Sequence, residues 1–259
     1  MGFNKFKNIQ KMNISSVIIT KNEEANIKRC LESIDFSDEI IIVDDYSLDK
    51  TLDIAKTFKT KIFKKKFNQS FSDQRNFGLS KAKGKWICFI DADEEVSVDL
   101  RNEIVQITSD PLNLNNGFFI KRKDTFFGKK LNYGEWGKNK ILRIVKNGYG
   151  KWTRNVHEVL KVEGKTGTLK SQLNHYPHKS LNAFVNSINL FSTIHATSNR
   201  KEGKKSNILK IILYPFFKFF FNWIVKGGFK DNDQGFIMSL MMSFHSFLAW
   251  SKLWQLTKK

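Results

Sequence analysis

Lys85-Trp-Ile-Cys-Phe-Ile-Asp91-Ala-Asp93 is the stretch on which the fold turns. Trp86 to Ile90 form an unbroken apolar run, and two carboxylates follow at once. A strand with one wet face alternates apolar and polar residues, whereas a continuous apolar run suits a strand covered on both faces. Acid that begins where the run stops lies at the strand's carboxyl end. In open α/β sheets that end is where ligands bind.

The neighbouring stretches repeat this pattern. Ser16 to Thr20 and Glu39 to Asp44 read as buried strands, the second also ending in acid, and Lys61 to Phe63 reads as another. Helical spacing predicts helices over Glu23–Ser33, Thr51–Phe58, Ser72–Lys81 and Val98–Ile107. Strand and helix in alternation predict a parallel sheet with helices on both faces. Three strand ends then converge: Thr20-Lys-Asn-Glu23, Asp44-Asp45 and Asp91-Ala-Asp93.

Each end suits a particular chemistry. Asp91 and Asp93, one residue apart, can hold a hard divalent cation whose open positions take phosphate oxygens; alternatively they form a solvated turn. Asp44 leaves the sheet at the crevice, where a carboxylate can accept from a nucleobase N–H or a ribose hydroxyl. Asp49 or Ser47 would cap the following helix. Arg75, at the start of the third helix, either clamps a diphosphate in bidentate fashion or is a plain surface arginine.

Composition adds a second division. The 259 residues carry 44 Lys+Arg against 25 Asp+Glu, a net charge of +19. Residues 1–110 hold 18 basic and 18 acidic side chains, so residues 111–259 carry the whole excess. That asymmetry points the second half at something anionic. With 41% hydrophobic residues and 3 prolines, wholesale disorder is excluded. Cys30 and Cys88, the 2 cysteines, form no disulfide framework and fit a reducing cytosol. Met1 to Asn13 is polar and basic, without the apolar core of a signal peptide.

Taken together, Val17-Ile-Ile-Thr-Lys-Asn-Glu23, Asp44-Asp-x-Ser-x-Asp-x-Thr51, Gln74-Arg-Asn-x-Gly78 and Asp91-Ala-Asp93 resemble the inverting family-2 glycosyltransferases of GT-A fold. Arg29-Cys-Leu-Glu-Ser33, Asp38-Glu-Ile-Ile41, Asp91-Ala-Asp-Glu94, Val156-His-Glu158 and Lys226-Gly-Gly-Phe229 resemble their lipopolysaccharide-core β-glucosyltransferase branch. The resemblance implies a nucleoside pocket lined by Thr20, Glu23 and Asp44, with Asp45 nearby. It implies Arg75 facing the diphosphate, Asp93 binding Mg²⁺ or Mn²⁺, and Asp91 set toward ribose and metal. Glu158 is the implied general base, with His157 orienting it or binding the acceptor; the alternative for Glu158 is a salt bridge to a nearby lysine. Two positions depart from the family pattern. Tyr46 stands where the family has glycine or another small residue, and Asn139 where the branch has an aspartate.

The second half is read more coarsely. Gly117–Arg122, Lys140–Lys146 and Val156–Val162 read as strands, and Ser180–Asn199 as a helix. Trp136 and Trp152 are candidates for stacking on sugar faces, or for core. His175-Tyr-Pro-His178 reads as structural or acceptor-facing rather than as a metal site. From residue 208 to the end, 13 of 52 residues are aromatic. Ile208–Val225 is interrupted by Lys210, Pro215, Lys218 and Asn222, which argues against a simple membrane span. Gly235–Ser251 carries no Asp, Glu, Lys or Arg. As a helix it would be about 25 Å long. Its small and bulky stripes suggest a helix in a membrane interface or packed on a partner.

The resulting expectation is an α/β GT-A fold with a C-terminal amphipathic helical appendage. Its parts are a basic extension (1–13), a nucleotide-sugar half (14–110), an acceptor half (111–200) and a membrane-associating tail (201–259). The expected activity is transfer of a hexose, glucose by default and from UDP, to a lipid-linked glycan such as lipopolysaccharide core. The expected place is the inner face of the cytoplasmic membrane, against an anionic lipid surface, with no nucleic-acid partner and no oligomeric state legible. The rival is a non-catalytic basic protein on the same fold, binding membrane or nucleic acid.

Overall fold

The computed structural model describes residues 13–68, 70–137, 139–154, 158–177 and 180–258. The first half alternates as its apolar runs require: β1 (Ile14–Thr20), α1 (Ile27–Ser33), β2 (Glu39–Asp44), α2 (Thr51–Ala55), β3 (Thr60–Lys64), α3 (Phe71–Lys81) and β4 (Trp86–Asp91). The four strands pair in parallel in the order β3-β2-β1-β4. Alternate residues of each strand feed opposite cores. Ile18, Ile42 and Ile90 meet Ile27 and Leu31 of α1 on one face. Val17, Val43 and Phe89 meet Phe77 of α3 on the other.

The chain then curls. After β4, the turn Ala92–Asp93 leads into β5 (Glu94–Val96) and α4 (Val98–Ser109). β6 (Gly117–Phe126), β7 (Lys129–Lys130), β8 (Asn139–Lys146), β9 (Gly150–Thr153), β10 (Val159–Val162) and β11 (Thr166–His175) follow. β8 runs antiparallel between β4 and β6, β11 joins β6 in parallel, and β5 closes the far edge against β11. The two carboxylates of Asp91-Ala-Asp93 therefore lie at a bend between the middle of the sheet and its edge.

Three helices complete the described chain: α5 (Leu181–Lys201), α6 (Ile208–Phe220) and α7 (Asn232–Lys258). Ser180 and Asn207 cap α5 and α6 by accepting from the backbone N–H three residues on. A π-helical turn (Phe221–Val225) and a 3₁₀ turn (Gly228–Asp231) join α6 to α7. A third core unites Phe126 and Leu131 with Phe184 and Ile188 of α5 and Met238 and Met241 of α7. The α6–α7 hairpin is bolted to the loop after β7. Asp231 accepts from the N–H groups of Asn132 and Tyr133, both at 2.9 Å, and Lys218 pairs with Glu135. Gly227 takes φ +69°, a conformation open to glycine, which gives Lys226-Gly-Gly-Phe229 a structural reason.

Some expected boundaries move. α1 starts at Ile27 because Glu23–Asn26 form a turn, in which Asn26 N–H donates to Glu23 C=O at 2.9 Å. β9 and β11 are strands not anticipated from the sequence; both are too polar for an apolar-run signal. Part of the expected strand Val156–Val162 lies outside the described residues, and β10 covers Val159–Val162. Pro215 does not break the helix it was expected to interrupt. The helical run Ile208–Val225 is continuous and, by length and composition, the one candidate span among the described residues.

Gly78 shows how tightly α3 lies on the sheet. A Cβ there would overlap Val17 Cγ1 and press on Val43 Cγ2 at 3.2 Å. Alanine's helix propensity favours Gly78→Ala by about 1 kcal/mol, but overlap with buried β-branched neighbours costs up to about 3 kcal/mol. We expect a net loss of about 1–2 kcal/mol, read as a lower urea midpoint at unchanged m-value. An unchanged or raised midpoint would show that α3 can slide.

Candidate functional site

A cavity of about 700 Å³ opens beyond the carboxyl ends of β1 and β4, with α5 and α7 across from them. Thr20, Glu23, Asp45, Arg75, Asp91, Asp93 and Glu158 all line it. These residues come from five separate stretches of chain. Parallel strands bring the first ends together, and α3 and the approach to β10 add Arg75 and Glu158.

Asp91 is the electrostatic hub. Its Oδ1 accepts from Arg75 Nη2 at 2.8 Å and its Oδ2 from Arg143 Nη2 at 2.5 Å. Burial would raise its pKa, but Arg143 and then Arg75 hold the carboxyl well below the usual range. Arg143 also donates to Glu94 at 3.2 Å, and Glu94 in turn accepts from the Asp91 backbone N–H at 2.8 Å. Glu94 is fully buried, and burial pushes its carboxyl up despite Arg143. Arg75 further reaches Glu158 at 3.4 Å and lies over the Trp152 ring at 4.7 Å. Glu158 thus pairs with an arginine of the site, and not with a lysine.

The motif around Arg75 divides its labour. Gln74 Nε2 donates to the Lys65 carbonyl at 3.1 Å. Asn76 exchanges two hydrogen bonds with the Trp152 backbone, at 2.8 and 2.9 Å. Gly78 permits the close approach to β1. Trp152 is itself core, edge-on to Phe89 at 5.0 Å, so it offers no free face to a sugar. Trp136 lines the cavity.

The nucleoside-side residues are distributed unequally. Asp44 is fully buried, and both its oxygens accept from Ser47, at 2.5 and 3.0 Å. It shapes the loop after β2 and is not among the residues lining the cavity. Asp45 does line it, accepting from Phe67 N–H at 2.8 Å and Lys21 Nζ at 2.6 Å. Tyr46, where the family has a small residue, sits at φ +53° with its ring exposed. That backbone region is the one glycine fills without strain, which explains the family preference. Thr20 Oγ1 and Arg75 Nη1 are buried polar atoms with no hydrogen-bond partner among the described residues. Such groups are costly unless something fills the site.

Beside Asp93 lies a cluster absent from the sequence expectation. His175 Nδ1 bonds Asp124 at 2.7 Å, and its Nε2 faces Asp93 Oδ2 at 3.3 Å. Arg122 Nε approaches Asp124 at 3.0 Å. Burial alone would lower the His175 pKa, but Asp93 and the Asp124 hydrogen bond raise it to about 10. His175 is thus site-facing, as part of an acidic cluster. His157 and His178 lie outside the described residues.

A divalent ion, implied by the family resemblance, can be tested against these donors. Asp91 is engaged by guanidinium groups at both oxygens, which leaves it fewer lone pairs for an ion than Asp93 has. Asp93 does fit: it is a cavity-lining carboxylate, the hard oxygen donor that Mg²⁺ or Mn²⁺ takes, whereas His175, held as a cation between Asp93 and Asp124, offers no lone pair. Among the described residues no three His, Cys, Asp or Glu side chains are grouped to hold an ion by themselves.

The missed residues had one common signal. Arg143 is a lone cation inside Ile141-Leu-Arg-Ile-Val145, and Asp124 a lone acid in β6. A charge at a buried strand position needs a partner.

Comparison with known proteins was consistent across sequence and structure. Residues 15–160 match the glycosyl transferase family 2 profile. An uncharacterized glycosyltransferase of Rickettsia typhi is 30% identical over 95% of this chain and 88% of its own length. The lipopolysaccharide core biosynthesis glycosyltransferase LpsC of Rhizobium meliloti is 26% identical over 95% and 94%. Among solved structures, S. aureus TarS 1–349 in complex with UDP-GlcNAc superposes with TM-score 0.52 at 15% identity, covering 91% of this chain and 82% of that one. The mannosyltransferase PcManGT of Pyrobaculum calidifontis, in complex with GDP-Man and Mn²⁺, gives TM-score 0.55 at 12% identity, covering 95% and 88%. The fold is therefore GT-A.

Arg143 should carry much of the site's stability. Arg143→Met removes the arginine partner of the fully buried Glu94 and leaves Asp91 with Arg75 alone, and should cost about 3–5 kcal/mol in denaturant unfolding. Adding Glu94→Gln should restore at least about 1 kcal/mol. A loss under about 1 kcal/mol in the single variant would show that water can replace the guanidinium.

Proposed function

The chain belongs to glycosyl transferase family 2, and from that premise we propose that it moves a hexose, glucose by default, from a nucleotide-sugar to a lipid-linked glycan with inversion at C1. The observation that carries this reading is the convergence of Thr20, Asp45, Arg75, Asp93 and Glu158 on one cavity that contains unpaired buried polar atoms. The UDP-GlcNAc and GDP-Man in the structural neighbours support a nucleoside diphosphate sugar. LpsC supports a lipopolysaccharide-core acceptor.

In this reading Thr20, Glu23 and Asp45 line the nucleoside end, and Asp44 holds the loop that shapes it. Arg75 is steadied by Asp91 and Glu158 and keeps Nη1 for a diphosphate oxygen. Glu158 takes the proton from the acceptor hydroxyl as that oxygen attacks C1 opposite the departing nucleotide. Its pairing with Arg75 couples the base to the leaving-group side. Asp93 is the residue that would hold Mg²⁺ or Mn²⁺, which when bound offsets charge on the departing diphosphate.

Support for a membrane-bound acceptor comes from α6 and α7. Ile208, Ile212, Phe216, Phe217, Phe236 and Leu240 are exposed, a contiguous run of apolar residues on a hairpin that also carries Lys210, Lys218, Lys226 and Lys230. Contiguous exposed apolar surface beside lysines suits insertion among anionic headgroups. The enzyme thus works at the inner face of the cytoplasmic membrane, peripherally.

The direct experiment is a panel of nucleotide-sugars with Mg²⁺ or Mn²⁺, reading nucleotide release with and without membrane extract. Glu158→Gln should lower transfer by about 10²–10⁴-fold while donor affinity stays near wild type. Near-normal turnover in that variant removes Glu158 from the role, and activity insensitive to EDTA removes the metal from Asp93. On the membrane side, the protein should float with phosphatidylglycerol vesicles at low salt and less so at high salt. Failure to float at low salt would overturn the location.

A further inference from the structure

The cavity has a side that the proposed transfer leaves unused. Beyond the acids, its lining becomes Phe191 of α5, Phe71 of α3 and Met242 of α7, all partly exposed, backed by Phe184, Ile188 and Met238 of the third core. Among the described residues, Ser187, His245 and Trp136 supply the polar atoms near this wall. A nucleoside diphosphate or a bare saccharide would have to leave hydroxyls unpaired against such a surface, at a cost. The ligand chemistry that suits it is aliphatic.

The wall is also placed to receive such a group. Met238 and Met242, one helical turn apart, turn toward the cavity from α7. On the same helix Phe236, Leu240, Phe244 and Phe247 are exposed. α7 is therefore apolar on two sides, one lining the cavity and the other continuous with the surface proposed to meet lipid. Methionine side chains adapt to irregular aliphatic shapes, and Phe191 presents a 41% exposed ring to the cavity.

We propose that the wall between α5 and α7 is an acceptor subsite for the aliphatic chain of a glycolipid, holding the chain while its sugar is presented to Glu158. This rests on the transfer reading above. It replaces the lipopolysaccharide-core acceptor of that reading with a glycolipid whose aliphatic group lies close to the sugar that is glycosylated.

The test uses the full chain and two photoreactive probes, octyl and butyl β-glucosides with a diazirine at the chain end, used below micelle concentration. Adducts are mapped by mass spectrometry. Adducts on α5 and on Met238 or Met242 are expected, with half-maximal labelling at a concentration at least tenfold lower for octyl than for butyl. Phe191→Ser and Met242→Gln alter partly exposed residues, so the fold should persist. Each should cut labelling of the wall at least fivefold, while Leu240→Ser should not. Adducts confined to Phe236, Leu240 or α6, or equal labelling by octyl and butyl, would overturn the proposal, as would an unaffected Met242→Gln. Nucleotide release from the donor panel is read on the same preparation. Release without wall labelling sinks the subsite and leaves the transfer reading standing. Wall labelling without release from any donor sinks the transfer reading, and the subsite as an acceptor site with it.

Discussion

Two guanidinium groups converge on one carboxylate, and the architecture is arranged around that contact. Arg75 comes from α3, in the first half of the chain, and Arg143 from β8, in the second. Asp91 lies between them at the end of the central strand. Burying a carboxylate is costly, and a single exposed partner would not offset it. Two arginines, themselves nearly buried, do so by giving it three charge-assisted hydrogen bonds. The same contact joins the halves of the chain at the place where the chemistry is proposed to occur. It also explains how Glu94 can be buried without exposure to water, since Arg143 serves both acids.

The curled sheet follows from this constraint. β8 must lie antiparallel beside β4 for Arg143 to reach Asp91. β5 must cross to the edge and pair with β11 for Asp93 to face His175. In register, His175 stands opposite both Glu94 and Asp124, so one strand end collects three acids around one imidazole. The helices then enclose the open side. α5 and α7 share a core with the end of β6, and the cavity is bounded by residues from both ends of the chain.

Much of the first half was legible because it rests on local signals. Unbroken apolar runs ending in acid marked β1, β2 and β4, and each lies within a residue or two of its expected place. The site was legible as a set of strand ends, and Thr20, Asp45, Arg75, Asp93 and Glu158 do share one cavity. What a linear reading could not supply was which residue neutralises which. Asp44 looked like a ligand-facing acid, yet Ser47, three residues on, takes both its oxygens. Arg143, Asp124 and His175 enter through non-local pairing of β8, β6 and β11. β9 and β11 escaped notice because their exposed faces carry polar residues. The bulky stripe of α7 was legible, but its direction was not: the small face with Gly235 and Ser239 packs inward, and the phenylalanines are left outside.

The anchoring of the hairpin by Asp231 has a mechanical consequence. Its carboxylate accepts two consecutive backbone N–H groups of the loop after β7, and its own carbonyl accepts from Lys129 Nζ at 3.1 Å. Three bonds at one residue leave the joint little freedom to swivel. Close-packed interiors are stiff and transmit displacement with little loss. A tilt imposed on the outer face of α6 and α7 is therefore delivered as a tilt of the cavity itself. The hairpin is thus joined to the cavity as a rigid handle, and a surface that gripped it would set the angle at which the cavity is held.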